Sequence, residues 1–312
     1  MQCGRLGGNR STRTSQRLYK RHGNGTSNSD NYRHNAKIYV GNKLIIEAGR
    51  TERHYWKDIW HYRELFYFLA WRDILVRYKQ TTVGVLWALL RPFPMIVFTI
   101  VFSKLAKLPS EGNAPYPVMV FAAMLPWQFF ANSLSEASNS LVGNANLISK
   151  IYFPRLIIPA SSVITSFVDF LISGIILIGL MLWYQFMPGW RIITLPLFIG
   201  IAFAASMGMG LWLTALNVKY RDFRYIVPFI VQFGLYISPV GFSSSIVPEK
   251  WRLLYSLNPM VGVIDGFRWA ILGQESAIYL PGFIISMIIV GVFLVTGILY
   301  FRKTEKTFAD VI

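Results

Sequence analysis

FVDFLISGIILIGLMLWY, residues 167–184, is an apolar run broken only by Asp169 and Ser173. It is close to the roughly 20 residues that an α-helix needs to cross a hydrocarbon core of about 30 Å. Helices are the expected spanning form, because lipid offers backbone groups no hydrogen-bond partner. Working outward, similar runs put spans near 83–103, 116–139, 157–184, 192–216, 225–245 and 279–301. The expectation is an all-α integral membrane protein with six transmembrane helices and both ends on one side. Composition agrees: 54% hydrophobic and 15% charged residues leave too much apolar surface for a soluble domain.

The net charge of +16 is unevenly spread, with 13 Lys or Arg against 4 Asp or Glu in residues 1–63. A basic flank ahead of the first span reads as a cytoplasmic end beside anionic lipid. The inner segments hold Lys150, Arg155, Lys219, Arg221, Arg224, Arg302, Lys303 and Lys306, and the outer ones Lys104, Lys107, Arg191, Lys250, Arg252 and Arg268. Both termini are therefore expected in the cytoplasm. No basic-aromatic nucleic-acid motif accompanies the charge, so nucleic acid is not an expected partner. Cys3 is the single cysteine, and His22, His34, His54 and His61 make no ligand-like pair, so no metal site is expected.

Residues 1–36 read as a disordered basic tail rather than a signal peptide. Residues 37–54 form a short segment in which Ile38, Val40, the Gly41-Asn42 turn and Leu44 to Ile46 suit a hairpin. Residues 55–80 read as an amphipathic interface helix, with Lys57, His61, Glu64, Arg72 and Lys79 on one stripe. The domain of 83–305 follows, then a C-terminal piece, 306–312. Between residues 246 and 278, Asn258-Pro259 and Gly273 punctuate an apolar stretch that fits two short re-entrant helices in the outer leaflet, over 250–273, or a soluble outer cap.

No G-x-x-x-x-G-K-[ST], G-x-S-x-G or H-E-x-x-H motif occurs, so neither ATP hydrolysis nor hydrolytic chemistry by this chain is expected. Asp169, deep in a span, costs at least about 2.5 kcal/mol unless it faces protein or water. It suits either a pathway residue or a helix-pairing carboxylate. Glu136 is the other acidic group in the spans, and the two are expected to lie too far apart in depth to cooperate. Arg91 either snorkels to the headgroups or joins Arg72, Arg77 and Lys79 in receiving an anionic headgroup such as a lipid diphosphate. Trp251, Tyr255 and Trp269 are belt residues or line a glycan path. In the loop NANLISKIYFPRLIIP (144–159), Asn146 caps a helix running to Phe153, where Pro154 stops it. Leu147, Ile148, Ile151, Tyr152 and Phe153 would then project into the cytoplasm, where a docking partner or the bilayer surface would cover them.

RDILVRYKQTTVGVLWALLRP (72–92), LISKIYFPRLIIP (147–159), NVKYRDFRYIVPFIVQFGLYISPV (217–240) and LNPMVGVIDGFRWAILG (257–273) resemble, in this order, the type-2 ABC exporter permeases of polysaccharide, O-antigen, capsule and teichoic-acid export. The resemblance covers about residues 50–305. It implies a permease subunit, not an enzyme, in a bacterial cytoplasmic (inner) membrane. It further implies a homodimer with two copies of a nucleotide-binding ATPase subunit, which binds ATP and Mg. The cargo would be a lipid-linked glycan, undecaprenyl-diphosphate-linked in O-antigen systems. Residues 55–80 resemble the family's gate helix, and 250–273 its periplasmic gate. Leu147, Ile148, Ser149, Lys150, Ile151, Tyr152 and Phe153 resemble its coupling helix. A permease for another lipid or a drug, a proton-coupled transporter relaying through Asp169, and a membrane enzyme acting on polyprenyl-linked sugars are the rival readings.

Overall fold

A computed structural model describes residues 55–79, Val97, 114–273 and 278–308. The predicted basic tail, the 37–54 hairpin, Arg91 and, apart from Val97, the 83–103 span lie outside the described residues. Among those described, every regular element is helical. The helices are α1 (Tyr55–His61), α2 (Arg63–Lys79), α3 (Tyr116–Gly143), α4 (Ala145–Lys150), α5 (Ile157–Trp183), α6 (Leu195–Lys219), α7 (Phe223–Ile237), α8 (Glu249–Tyr255), α9 (Pro259–Leu272) and α10 (Leu280–Glu305). A 3-10 turn, Trp190–Thr194, leads into α6.

Four of these are long and apolar enough to cross a membrane: α3, α5, α6 with its leading turn, and α10. Of the six expected spans, these four are the ones that the described residues show. The predicted span 225–245 is the 15-residue α7, which at 1.5 Å per residue is about 22 Å long, short of a hydrocarbon core. It stops because Ser238 precedes Pro239, a position that disfavours helical backbone; Ser238 is extended, with ψ of 150°. The predicted spans 116–139, 157–184, 192–216 and 279–301 hold within a few residues.

The least apolar of the four spans is the most enclosed. The apolar window of α3 is 78% buried, against 28% or less for α5, α6 and α10. A helix wrapped by other helices can carry small and polar groups, and α3 buries Ser133, Ser138 and Ser140. Around it Phe129, Phe167, Phe170, Phe203 and Phe267 interlock with ring centroids 5.5–6.3 Å apart. The Thr214 hydroxyl and Asn217 amide of α6 donate to Ala137 O and Ser138 O of α3 at 2.8 and 2.7 Å. Two glycines set the α6–α10 contact. A Cβ on Gly208 would lie 2.6 Å from Leu294 N, and one on Gly297 would collide with Gly208 O.

A second apolar cluster lies at the α4 end of the bundle, where Leu69, Leu141, Ile148, Phe153, Leu156, Phe301 and Phe308 pack together. It joins α2, the loop after α4 and the end of α10. The predicted 55–80 helix is broken only by a turn at Tyr62, across which Tyr62 N–H donates to Asp58 O and Phe66 N–H to Tyr62 O. One side of α2 packs on α5, while Trp56, Trp60, Tyr67, Phe68 and Trp71 remain exposed.

Candidate functional site

The α4 end brings three groups of predicted residues together. Arg77, in the last turn of α2, reaches both Glu136 of α3 and Asp169 of α5, each at 2.5 Å. The Tyr78 hydroxyl also donates to Asp169. Glu136 and Asp169 thus share one guanidinium, which corrects the expectation that depth separates them. The antiparallel run of α3 and α5 brings positions 33 residues apart in sequence to the same level. The side chain of Asp169 is 12% exposed and that of Glu136 49%, so the inner half of this triad is the less screened by water.

One turn back along α2, Arg72 donates to Asp73 Oδ1 through Nε and Nη2 at 2.9 and 2.7 Å. Its Nη2 also reaches Asn144 Oδ1 at 3.0 Å, the residue that opens α4. Lys79 is exposed. Of the four predicted portal cations, two therefore tie α2 to the bundle, one faces solvent, and Arg91 lies outside the described residues.

The predicted helix from Asn146 to Phe153 is shorter. It opens at Asn144 and ends at Lys150, with Ile151 extended at ψ of 134°. Of the five apolar side chains expected to project, Ile148 is 7% and Phe153 3% exposed, both inside the second cluster. Leu147 packs against that cluster partly buried. Ile151 and Tyr152 stand out, 53% and 64% exposed. The correction has a simple cause: the chain leaves helical geometry at Ile151, so the side chains beyond it no longer follow the helical period, and Phe153 turns into the cluster while Ile151 and Tyr152 face out. Ser149 and Lys150 are exposed beside them.

Glu305 locks the same corner. Tyr55 donates its hydroxyl to Glu305 Oε2 at 2.9 Å, Arg155 N–H donates to Oε1 at 2.6 Å, and the Arg155 guanidinium reaches Glu305 O. Burial, then the nearby Glu305 carboxylate, pushes the Tyr55 hydroxyl well above the usual phenol range, so it remains a donor. The Arg302 guanidinium lies 4.7 Å from the Tyr55 ring centroid. Local sequence held no sign of Glu305 or Arg155 in this role, since both partners come from more than 140 residues away.

At the other end of α3 the break after α7 is held by side chains. Arg268 of α9 is buried and donates to Phe242 O at 2.6 Å and Val240 O at 2.9 Å. Tyr255 donates to Ile237 O at 2.8 Å, and Asn258 Nδ2 to Ser238 Oγ at 2.9 Å. Irregular backbone at such a place needs protein partners for its carbonyls, and α8 and α9 supply them. Sequence alone places Arg268 only among the outer charges. Its signal was an arginine within the apolar PMVGVIDGFRWAIL of α9. Burial, then the Asp265 charge, raises the Tyr255 hydroxyl above the usual phenol range against the opposing effect of Arg268.

The three predicted pathway aromatics do not converge. Trp269 lies under the Arg191 guanidinium at 4.8 Å and edge-on to Phe198. Trp251 is exposed. Tyr255 faces a cavity between α8, α9 and the start of α10. A separate apolar groove of about 360 Å³ runs between α3, α6 and α7, with Trp127, Phe130, Met209 and Phe233 in its walls. The free side of α7 presents Tyr225, Phe229, Phe233 and Tyr236.

Four long apolar helices, a shorter helix tied to them by charge, and an apolar pair standing out beside α4 define the class of polytopic membrane proteins. Residues 64–272 match the ABC-2 type transporter family, and the chain belongs to it. Members are membrane permeases. The chain is 26% identical over 260 residues to the O-antigen export system permease protein RfbA of Klebsiella pneumoniae, covering 80% of this chain and 95% of the relative. It is 28% identical over 216 residues to the RfbA of Myxococcus xanthus, covering 68% and 82%. It is 22% identical over 206 residues to the polysialic acid transport protein KpsM of Escherichia coli, covering 64% and 78%.

Proposed function

We propose that the chain is the permease subunit of an ATP-driven exporter that carries an undecaprenyl-diphosphate-linked glycan of the O-antigen type across a bacterial cytoplasmic membrane. The observation that carries this reading is the similarity to an O-antigen export permease over 95% of that relative. Two permeases form a homodimer, and two cytoplasmic nucleotide-binding subunits bind ATP and Mg. Ile151 and Tyr152 are the surface that meets the ATPase, supported by their exposure beside the buried Phe153. The aromatic side of α2 rests in the headgroup layer, as expected of an amphipathic interface helix. In the same reading α2 is the gate helix, Lys79 and Arg91 receive the lipid diphosphate at the portal, and α8 and α9 form the outer gate. The aromatic row on α7 lines the path, where ring faces give sugars apolar contact without holding them by charge.

ATP-driven closure of the ATPase pair would move Tyr152 and, through Asn144 and Arg72, the end of α2. The Arg77 contacts with Glu136 and Asp169 would then break or re-form as the helix shifts. Deletion of the gene, followed by analysis of surface glycan and of lipid-linked intermediates, tests the function. The expected result is loss of the surface glycan with its lipid-linked precursor accumulating inside. Unchanged surface glycan would overturn the reading.

A further inference from the structure

The segment from Asn144 to Arg155, which carries the exposed pair Ile151 and Tyr152, is fastened near both ends to the same two helices, α1 and α2. At its start Asn144 donates its amide to Ser140 O at 2.9 Å and accepts from Arg72 of α2 at 3.0 Å. At its end Arg155 and Glu305, the last residue of α10, exchange two bonds. The Arg155 N–H donates to Glu305 Oε1 at 2.6 Å, and its guanidinium donates to Glu305 O. The other carboxylate oxygen, Oε2, accepts from the Tyr55 hydroxyl of α1 at 2.9 Å.

Two helix ends account for part of this arrangement. α5 starts at Leu156 without a capping side chain of its own, and a carboxylate from α10 takes the backbone donor just ahead of it. The last carbonyls of α10 have no intrahelical donor, and the Arg155 guanidinium takes one of them. Capping needs only one carboxylate oxygen, however. The second goes to Tyr55, so Glu305 joins three elements rather than closing one. Hydrogen bonds to an ionised partner are roughly twice as strong as neutral ones, which suits a joint that carries load. The step from Tyr152 to Arg155 is three residues, at most about 11 Å of chain. Phe153 and Leu156, which flank Pro154 and Arg155, are both buried in the second cluster. So short a stretch, seated on both sides, passes a displacement on instead of absorbing it.

We propose that Glu305 is a positioning residue for energy coupling, passing movement of the Ile151 and Tyr152 surface to α1 while Asn144 and Arg72 pass it to α2. Two attachments make α1 and α2 follow the segment together, where one would let them pivot about it. The proposal rests on the reading of Ile151 and Tyr152 as the surface that meets the ATPase. Its consequence is uncoupling: without the Glu305 joint the ATPase still docks and hydrolyses ATP, but less glycan is exported.

The experiment complements a gene-deletion strain with the full chain or its variants. It reads three quantities: surface glycan, co-purification of the ATPase subunit, and ATP hydrolysis by the purified complex in lipid nanodiscs. For Glu305→Ala, surface glycan is expected to fall at least about fivefold, with co-purification unchanged and hydrolysis within about twofold of wild type. Glu305→Gln should recover at least about half of the export, because its amide oxygen accepts from the Arg155 N–H and its amide nitrogen donates to the Tyr55 oxygen. Tyr55→Phe should lower export at least about twofold and add nothing to Glu305→Ala, since both break the same joint. Full export by Glu305→Ala, loss of co-purification along with export, or additive effects in the double variant would overturn the proposal. Should Glu305→Ala fail to accumulate in the membrane, Tyr55→Phe decides, because it leaves both Arg155 bonds in place. A wild-type amount of glycan then overturns the role, and a loss with the ATPase still bound supports it. Unchanged surface glycan on gene deletion overturns the export reading and the coupling role with it, whereas loss on deletion with full export by Glu305→Ala overturns the role of Glu305 alone.

Discussion

The two ends of α3 are held by different kinds of bond. At the α4 end, side chain meets side chain: Arg77 with Glu136 and Asp169, Arg72 with Asp73 and Asn144, Tyr55 with Glu305. At the α8 end, side chains meet backbone carbonyls: Arg268 with Val240 and Phe242, Tyr255 with Ile237, Arg252 with Val247 and Ser245. A bond between two side chains can exchange partners when a helix slides, whereas a carbonyl in a broken helix has no second intrahelical donor to turn to. The first kind leaves the partners of a helix exchangeable, and the second holds the backbone of a break in place.

The largest effect expected falls on the α8 end. Arg268→Ala should destabilise the protein by about 3–5 kcal/mol, because two buried carbonyls lose a charged donor and a cavity opens. Arg268→Lys should recover only part of this, since one ammonium cannot replace a planar fork. Denaturation of both variants in detergent measures it; a loss under about 1 kcal/mol for Arg268→Ala would mean that the break does not depend on this arginine.

Neighbouring residues of the α4 end provide the next contrast. Phe153→Asp should cost about 3–4 kcal/mol by placing a charge in the second apolar cluster. Tyr152→Asp should change stability by less than about 0.5 kcal/mol, as an exposed site does. It should nevertheless abolish co-purification with the ATPase subunit. Retained binding by Tyr152→Asp would move the docking surface elsewhere.

A double-mutant cycle grades the charge triad. The coupling of Arg77 with Asp169 should be about 1.5–3 kcal/mol, and with half-exposed Glu136 about 0.5 kcal/mol or less. Equal couplings would remove the distinction between the buried and the screened partner.

The smallest effect expected is a pH dependence. Folding raises the Tyr55 hydroxyl above its ordinary value of 10.0, so the native state holds this proton more tightly than the unfolded one. Its contribution is fully present below pH 10 and falls as pH rises beyond it. Tyr55→Phe should flatten the alkaline limb of a stability profile; an unchanged slope would mean that Tyr55 does not titrate with unfolding.

Much of this architecture was legible from single residues. The apolar runs placed α3, α5, α6 and α10 within a few positions, since a bilayer demands apolar length and little else. Pro239 was visible as well, but hydropathy runs through it, and an average over a window cannot see a lost donor. The α4 segment illustrates the opposite limit. Its apolar residues were found as a group, yet a helical period was extended through Ile151, and the side on which Phe153 falls follows from where the helix ends.

From the sequence alone came the class of the molecule, its long helices, the helical character of residues 55–79 and the likeness to export permeases, because these depend on composition and spacing along one chain. Only the tertiary structure decided that Glu136 and Asp169 share Arg77, that Arg268 holds the irregular segment after α7, 26 and 28 residues away, and that Tyr152 is presented while Phe153 is not. These are pairings across helices, and a charge or a ring finds its partner by the packing of backbones that no local pattern encodes.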